Sequence, residues 1–428
     1  MSTRPLRRTA AVVAALAAGF AASACDPVPL NAGQLGIDGV ETIQSVQFPG
    51  SAVIPMIAYK ETYVRVYARV GGTRAAAGVA ATLTVGGTTV TVTGTTASVA
   101  PLPARVLQPV NGLTRTVGTT VADPTQIDTT FVFKLDPTQV QPGTRTLTAK
   151  LRYPSGWTAP PGDDLTTRTV TVAFGPLPAS DHNIITGRRI YPLRYTYTNV
   201  PKTLQQQDGL TGDTYPARSR ADVERQRLGA RNVLPLASLV TDWSFEDRIG
   251  IPAFDCRATT SSSGHITCAG FEDARIWAAK KFDELFPGGD QWLVVIQPEN
   301  PTGYFGAYTR SDKNNIRLNV QLEPADGEGL TLAHEMGHAL GLHHTPDVTQ
   351  DPDPNYPRPD GSMGAWVGLR TTPQLRVIAG LDAAGKVTAY DLMAYHSPQW
   401  ISAYSYCRAM DALTQHATTC PTGLDGWD

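Results

Sequence analysis

"HEMGHALGLHHT", residues 334–345, packs four of the chain's eight histidines around one glutamate and two glycines. On a helix, residues four apart share a face with side chains about 5–6 Å apart, so His334 and His338 can present two imidazoles to one cation. Glu335 stands one step round the helix, placed to face a water at that cation without ligating it. A tetrahedral Zn²⁺ site that keeps one position open needs one more protein ligand. Gly341 says where it comes from: a glycine there can take a left-handed conformation, end the helix and turn the chain back under the metal. The following side chains then come within reach.

The full spacing, H-E-x-x-H-x-x-G-x-x-H, resembles the metzincin signature. The resemblance implies zinc ligation by His334, His338 and His344, with Glu335 as general base and His343 left to a rim or supporting role. Metzincins also carry a methionine turn beneath the metal, and "YDLMAYHSPQW" (390–400) is similar to it. Met393 is then the floor of the site. Tyr395, two residues on, stands where astacin-like and serralysin-like members have a tyrosine that ligates zinc and swings away. The resemblance covers residues 181–428 and implies an α+β catalytic domain with one catalytic zinc and a protein or peptide substrate. Two departures stand out: Thr345 matches no branch of the family, and the stretch from Thr345 to Tyr390 is longer than in compact members. Within it, Asp347, Asp351, Asp353 and Asp360 are oxygen ligands of the kind Ca²⁺ uses, but their unordered spacing and interleaved prolines read as a solvated loop.

Outward from the site toward the C-terminus, "ISAYSYCRAMDAL" (401–413) has helical spacing. Toward the N-terminus, "QWLVVIQ" (291–297) reads as a buried strand and "NNIRLNVQL" (314–322) as a half-exposed one. "GYFGAYTRSDKNNIRLNV" (303–320) falls where metzincins place the edge strand that bounds the cleft. "FEDARIWAAKKFDELF" (271–286) has the periodicity of a helix ended by "PGG", Ser219 is placed to cap a helix through about Ala230, and "NIITGRRIYPLRY" (183–195) reads as an opening strand.

"GPLPAS" (175–180) is a Pro-punctuated linker. Before it, residues 36–175 alternate apolar and polar in runs such as "TYVRVYARV", "TFVFKL" and "TRTVTVAF", the pattern of an all-β, Ig-like sandwich. "VGGTTV" (85–90) is a hairpin candidate. No histidine or cysteine falls in this region, which therefore reads as a spacer or binding module.

The first 24 residues, with Arg4, Arg7 and Arg8 before an apolar run, read as an export signal, followed by a tether over 25–35. "ASAC" resembles the lipobox of bacterial lipoproteins and makes Cys25 a lipidation site. The other four cysteines fall into two local pairs, Cys256 with Cys268 and Cys407 with Cys420, as expected of disulfides in an exported chain. A bridge at the first pair closes a short loop and contributes roughly 3 kcal/mol in the chain-entropy view. With a formal net charge of −2 and no long run of either sign, nothing points to nucleic acid, and contact with a membrane is expected only through the lipid.

The sequence thus points to an exported, lipid-anchored zinc endopeptidase behind a β-sandwich. Two alternatives stay open: a surface binding protein with an inactive protease domain, which an intact Glu335 disfavours, and a zinc amidase or deacetylase acting on the cell envelope. Oligomeric state and natural substrate are not legible.

Overall fold

The computed structural model describes residues 29–49, 53–87, 104–161, 165–175, 189–192, 195–198, 214–215, 220–237, 244–245, 254–255, 258–260, 266–268, 292–296, 307–311, 317–321, 329–372 and 374–414. The expected signal, Cys25, most of the 85–90 hairpin, the 175–180 linker beyond Gly175, the 271–286 helix, Ser219, Cys256 and Cys420 lie outside them.

The chain is β-rich with few helices. Its N-terminal part is built from β1 (Leu35–Ile43), β2 (Val46–Gln47), β3 (Met56–Ile57), β4 (Thr62–Val70), β5 (Ala76–Gly87), β6 (Arg105–Leu107), β7 (Thr114–Val117), β8 (Thr130–Leu135), β9 (Gly143–Arg152) and β10 (Thr167–Gly175). One sheet has the order β1-β4-β8 and the other β3-β10-β9-β5-β6, with β7 also on β5. Alternate residues of both sheets, among them Val64, Val66, Phe131, Phe133, Leu83 and Leu147, meet in one apolar core, as period-2 patterning requires.

The polar halves of β1 and β4 depart from expectation: they are buried too. Arg65 and Glu41, both fully buried, form an ion pair at 3.2 Å. Tyr67 adds its hydroxyl to Glu41 at 2.5 Å, and the carbonyl of Pro124 accepts from Arg65. Charge inside the fold is tolerated because each group finds a partner. The same face also meets Val367 and Leu369 from the C-terminal part.

That part contains β11 (Arg189–Pro192), β12 (Tyr195–Thr198), β13 (Thr214–Tyr215), helix α1 (Arg220–Val233), β14 (Ser244–Phe245), β15 (Phe254–Asp255), β16 (Ala258–Thr260), β17 (Ile266–Cys268), β18 (Trp292–Ile296), β19 (Ala307–Ser311) and β20 (Arg317–Gln321). Helix α2 (Leu330–Ala339), β21 (Val367–Arg370), β22 (Arg376–Ala379), β23 (Tyr390–Asp391), β24 (Gln399–Trp400) and helix α3 (Ala403–Thr414) follow. Its main sheet runs β14-β11-β18-β20-β19. β18 is parallel to both β11 and β20, and β19 closes the edge antiparallel to β20. The edge is therefore 307–311. Arg317, expected within the edge strand, belongs instead to an interior strand paired on both sides. Helix α2 packs against β19 and β20.

The two parts are knit together by residues 44–60. Val46, Ile54 and Ile57 join a core that includes Ala230, Leu332, Met336, Met393 and Tyr406. β2 pairs with β21, and the Ser45 carbonyl accepts from Leu369 N and Trp400 Nε1. Lys60 is buried to 2% exposure, its ammonium donating to the carbonyls of Arg231 (2.5 Å) and Leu234 (2.6 Å). A cation at the last carbonyls of α1 answers groups that a helix leaves unsatisfied at its C-terminus. Burial nonetheless pushes its pKa well below the ordinary lysine value. Among the described residues, no helix is long and apolar enough to cross a membrane.

Candidate metal centre

Helix α2 carries the first two histidines. Its N-cap is Gly329 at φ 71°, where a Cβ would stand 2.1 Å from the Gln226 carbonyl. Glycine there is what lets α2 approach α1 so closely. The helix ends as the spacing anticipates. Gly341 takes φ 83°, and Gly341 N and Leu342 N bond back to the carbonyls of His338 and Gly337. His344 then enters a short parallel bridge with Pro352.

The structure brings His334, His338 and His344 together, with their ligand nitrogens within 4.8 Å of one another. Each ring is steered by a backbone carbonyl at Nδ1: Leu392 O at 2.8 Å for His334, Leu342 O at 2.9 Å for His338 and Gln350 O at 2.5 Å for His344. A carbonyl only accepts, so each Nδ1 carries the proton and each Nε2 keeps its lone pair. The three lone pairs converge. His338 Nε2 and His344 Nε2 lie 3.1 Å apart, and two lone pairs at that distance repel unless a cation lies between them. Burial, reinforced by the neighbouring imidazoles, pushes the pKa of His334 down to about 3 and of His338 to about 4, and burial also lowers that of His344. Three neutral nitrogen donors with committed Nδ1 protons fit the donor set of a Zn²⁺ site with an open position.

Glu335 is buried on the same helix at 5% exposure. Met393, fully buried, lies beneath Gly337, its Sδ only 2.9 Å from where a Cβ on that glycine would be. The turn around it is bound into the site, since Leu392 O accepts from His334 Nδ1 and Met393 O accepts from Thr345 N. Tyr395 is 52% exposed, with its hydroxyl 3.1 Å from His344 Nε2. His343 points away from the triad, with Nδ1 2.8 Å from Asp351 Oδ2 at the surface.

The four aspartates do not converge. Asp347 pairs with His396, Asp351 with His343, Asp353 with Arg408, and Asp360 accepts from Ser362 N. Asp353 is 4% exposed, so the loop is less solvated than its composition implied. Among the described residues, the triad is the one cluster of three or more metal-ligating side chains. Cys407 is disulfide-bonded.

One supporting group has no signal in the sequence. Asp391 is fully buried, accepting from Met393 N at 2.8 Å, Ser402 N at 2.9 Å and Ser405 Oγ at 3.0 Å. It fastens the Met393 turn to the start of α3. Burial raises its carboxyl above the usual range, against the pull of those donors. Ser402, which accepts from Ser405 N, carried a visible signal as a helix N-cap before an apolar run; the carboxylate behind it did not.

No family model and no curated protein matches the chain in sequence. Among solved structures, a family 123 glycoside hydrolase from Clostridium perfringens, studied for glycolipid glycan hydrolysis, aligns with 72% of this chain at 9% identity and a TM-score of 0.21. The chain spans 55% of that structure's length. So loose a superposition carries no argument about fold or chemistry.

Proposed function

We propose that the chain is a zinc-dependent endopeptidase of metzincin type, its α+β catalytic part standing behind an Ig-like β-sandwich. The observation that carries this reading is the convergence of three Nε2 lone pairs, each tautomer fixed by a backbone carbonyl, beside a buried glutamate one residue after the first histidine. His334, His338 and His344 would hold zinc as three neutral imidazoles, and with its full charge retained the ion would supply the Lewis acidity to acidify a water and polarise a carbonyl. Glu335 takes the proton from the attacking water and hands it to the leaving amine nitrogen. Tyr395, exposed at the mouth with its hydroxyl beside His344, donates to the oxyanion as the carbonyl carbon becomes tetrahedral. The β19 edge offers an extended peptide a strand to pair with. The chain is exported and held at the outer face of the membrane by lipid on Cys25.

Zinc content, together with degradation of a mixed protein panel, tests the proposal. The native chain is expected to hold one zinc and cleave. Glu335→Ala is expected to hold the same zinc and lose about 10²- to 10⁴-fold in rate, since the base is removed and the ligands stay. Zinc-free protein, or a Glu335→Ala variant of native activity, would overturn it. Release of peptidoglycan fragments with no protein cleavage would favour an amidase instead.

A further inference from the structure

The backbones of His334 and His338 are set by the helix that carries them, whereas that of His344 has no such frame. It sits beyond Gly341, and its ring is steered by the carbonyl of Gln350. Gln350 belongs to a strap, residues 350–353, that runs beside His344 and is tied to it twice more. His344 N donates to Asp351 O at 3.1 Å, and Asp353 N donates to His344 O at 2.7 Å. His343 adds a bond from the rim to Asp351 Oδ2.

Main-chain bonds to a loop fix a ligand only if the loop is itself fixed. The strap has one deep anchor. Asp353, 4% exposed and ending the strap, places Oδ2 2.9 Å from the Tyr404 hydroxyl and 3.1 Å from Arg408 Nη1, while Oδ1 accepts from Asn355 N at 2.9 Å. Tyr404 and Arg408 are one turn apart on α3, joined by Arg408 Nη1 to Tyr404 Oη at 2.5 Å. The guanidinium also stacks over the Tyr404 ring. Charge-assisted bonds of this kind are about twice as strong as neutral ones and hold geometry as well as energy.

We propose that Asp353 is a positioning residue for the third metal ligand. Held by Tyr404 and Arg408, it fixes the strap, and the strap's Gln350 carbonyl aims His344 Nε2 at the point where the other two nitrogens converge. The inference rests on the zinc reading of the triad and says how the one ligand that lies off the helix is supported. Outer partners that orient a metal-ligating histidine typically govern metal affinity by 10- to 100-fold.

The test measures the zinc dissociation constant by chelator competition, and the melting temperature of the zinc-free protein, for the full chain and for Asp353→Asn, Tyr404→Phe and Arg408→Gln. Asp353→Asn is expected to weaken zinc 10- to 100-fold, and the other two by less, each having removed one donor. The zinc-free melting temperature is expected to move little in Tyr404→Phe and Arg408→Gln, because the strap's main-chain bonds remain. A merely structural anchor would do the reverse, lowering the melting temperature and leaving the zinc constant of the folded protein unchanged. That result in any folded variant would overturn the proposal. Should Asp353→Asn fail to fold, the other two variants decide alone. If the unaltered chain binds no zinc, it is the reading of the triad that has failed, and that outcome is distinguishable from the strap's.

Discussion

The two halves of the candidate metal centre are built in opposite ways. On the helix side, His334, Glu335 and His338 are placed by the pitch of α2, and α2 is braced from behind by α1, whose C-terminal carbonyls receive Lys60 and Ser45 from the N-terminal part. On the loop side, His344, Met393 and Tyr395 hang on turns, and their bracing comes from α3 through Asp391 and Asp353. Helix geometry needs no tertiary contact to bring residues four apart onto one face; loop geometry is as firm as the bonds that fasten it. Damage to the frame should therefore cost stability on the helix side and metal or rate on the loop side.

The sharpest contrast lies between two adjacent residues of the loop. His344→Ala removes a converging Nε2 and is expected to abolish stoichiometric zinc at submicromolar free metal, while His343→Ala removes a surface bond to Asp351 and is expected to leave zinc in place. Metal analysis after dialysis separates them. Equal losses would mean that His343 reaches the site when metal is present.

How much of this is legible in the sequence follows the same divide. That His334, Glu335 and His338 share one helix is legible because the information is local, and Gly341 marks the turn because positive φ favours glycine. The edge strand is legible only roughly: period-2 alternation marks a strand but not its neighbours, and the resemblance that puts 303–320 at the edge does not separate β19 from Arg317 on β20, which lies between β18 and β19. Alternation in β4 marks a polar face but does not say what covers it, and Val367 and Leu369, far along the chain, pack on that side. Lys60 at the end of α1 joins residues 171 positions apart. In the sequence Asp353 is one of several acidic loop residues, and only its contacts with α3 set it apart. Such contacts leave no periodic trace in the sequence.

A second test on the loop side concerns Tyr395. Its ring is half in solvent, so Tyr395→Phe is expected to leave the melting temperature unchanged. Losing a donor to the oxyanion is expected to lower kcat and kcat/KM together by about 10²-fold with KM nearly constant. A full-speed variant with a lowered melting temperature would make the phenol a structural group instead.

Gly337 lies where the halves touch. Its missing side chain is the space that Met393 Sδ occupies, and Leu342 Cδ1 would also be only 3.2 Å from an added Cβ. Gly337→Ala improves helix propensity by about 1 kcal/mol but overpacks a buried contact at a typical cost of about 1–3 kcal/mol. A net loss of stability is expected, with Met393 displaced from its contact with residue 337. If Gly337→Ala is more stable than the native chain, the Met393 turn yields easily and the loop side is softer than its bonds imply.

The smallest effect is expected from Ser45→Ala, and it sharpens the comparison most. Ser45 Oγ donates to Asn232 O at 2.6 Å, one neutral bond worth about 1 kcal/mol. Asn232 O keeps Lys60 Nζ at 3.3 Å as a second donor, so no carbonyl is stranded when the hydroxyl goes. The Ser45 carbonyl, which holds Trp400 and Leu369, is untouched. Stability is therefore expected to fall by about 1 kcal/mol, and the zinc constant to stay fixed, because the pitch of α2 still sets its two histidines whatever happens at the far end of α1. Since residues 44–60 share one core with both α1 and α2, a single unfolding transition is expected to shift as a whole. Two transitions, with Ser45→Ala moving only the one assigned to the N-terminal part, would show that the brace does not reach the helix. A weakened zinc constant would show that helix geometry alone does not set its ligands.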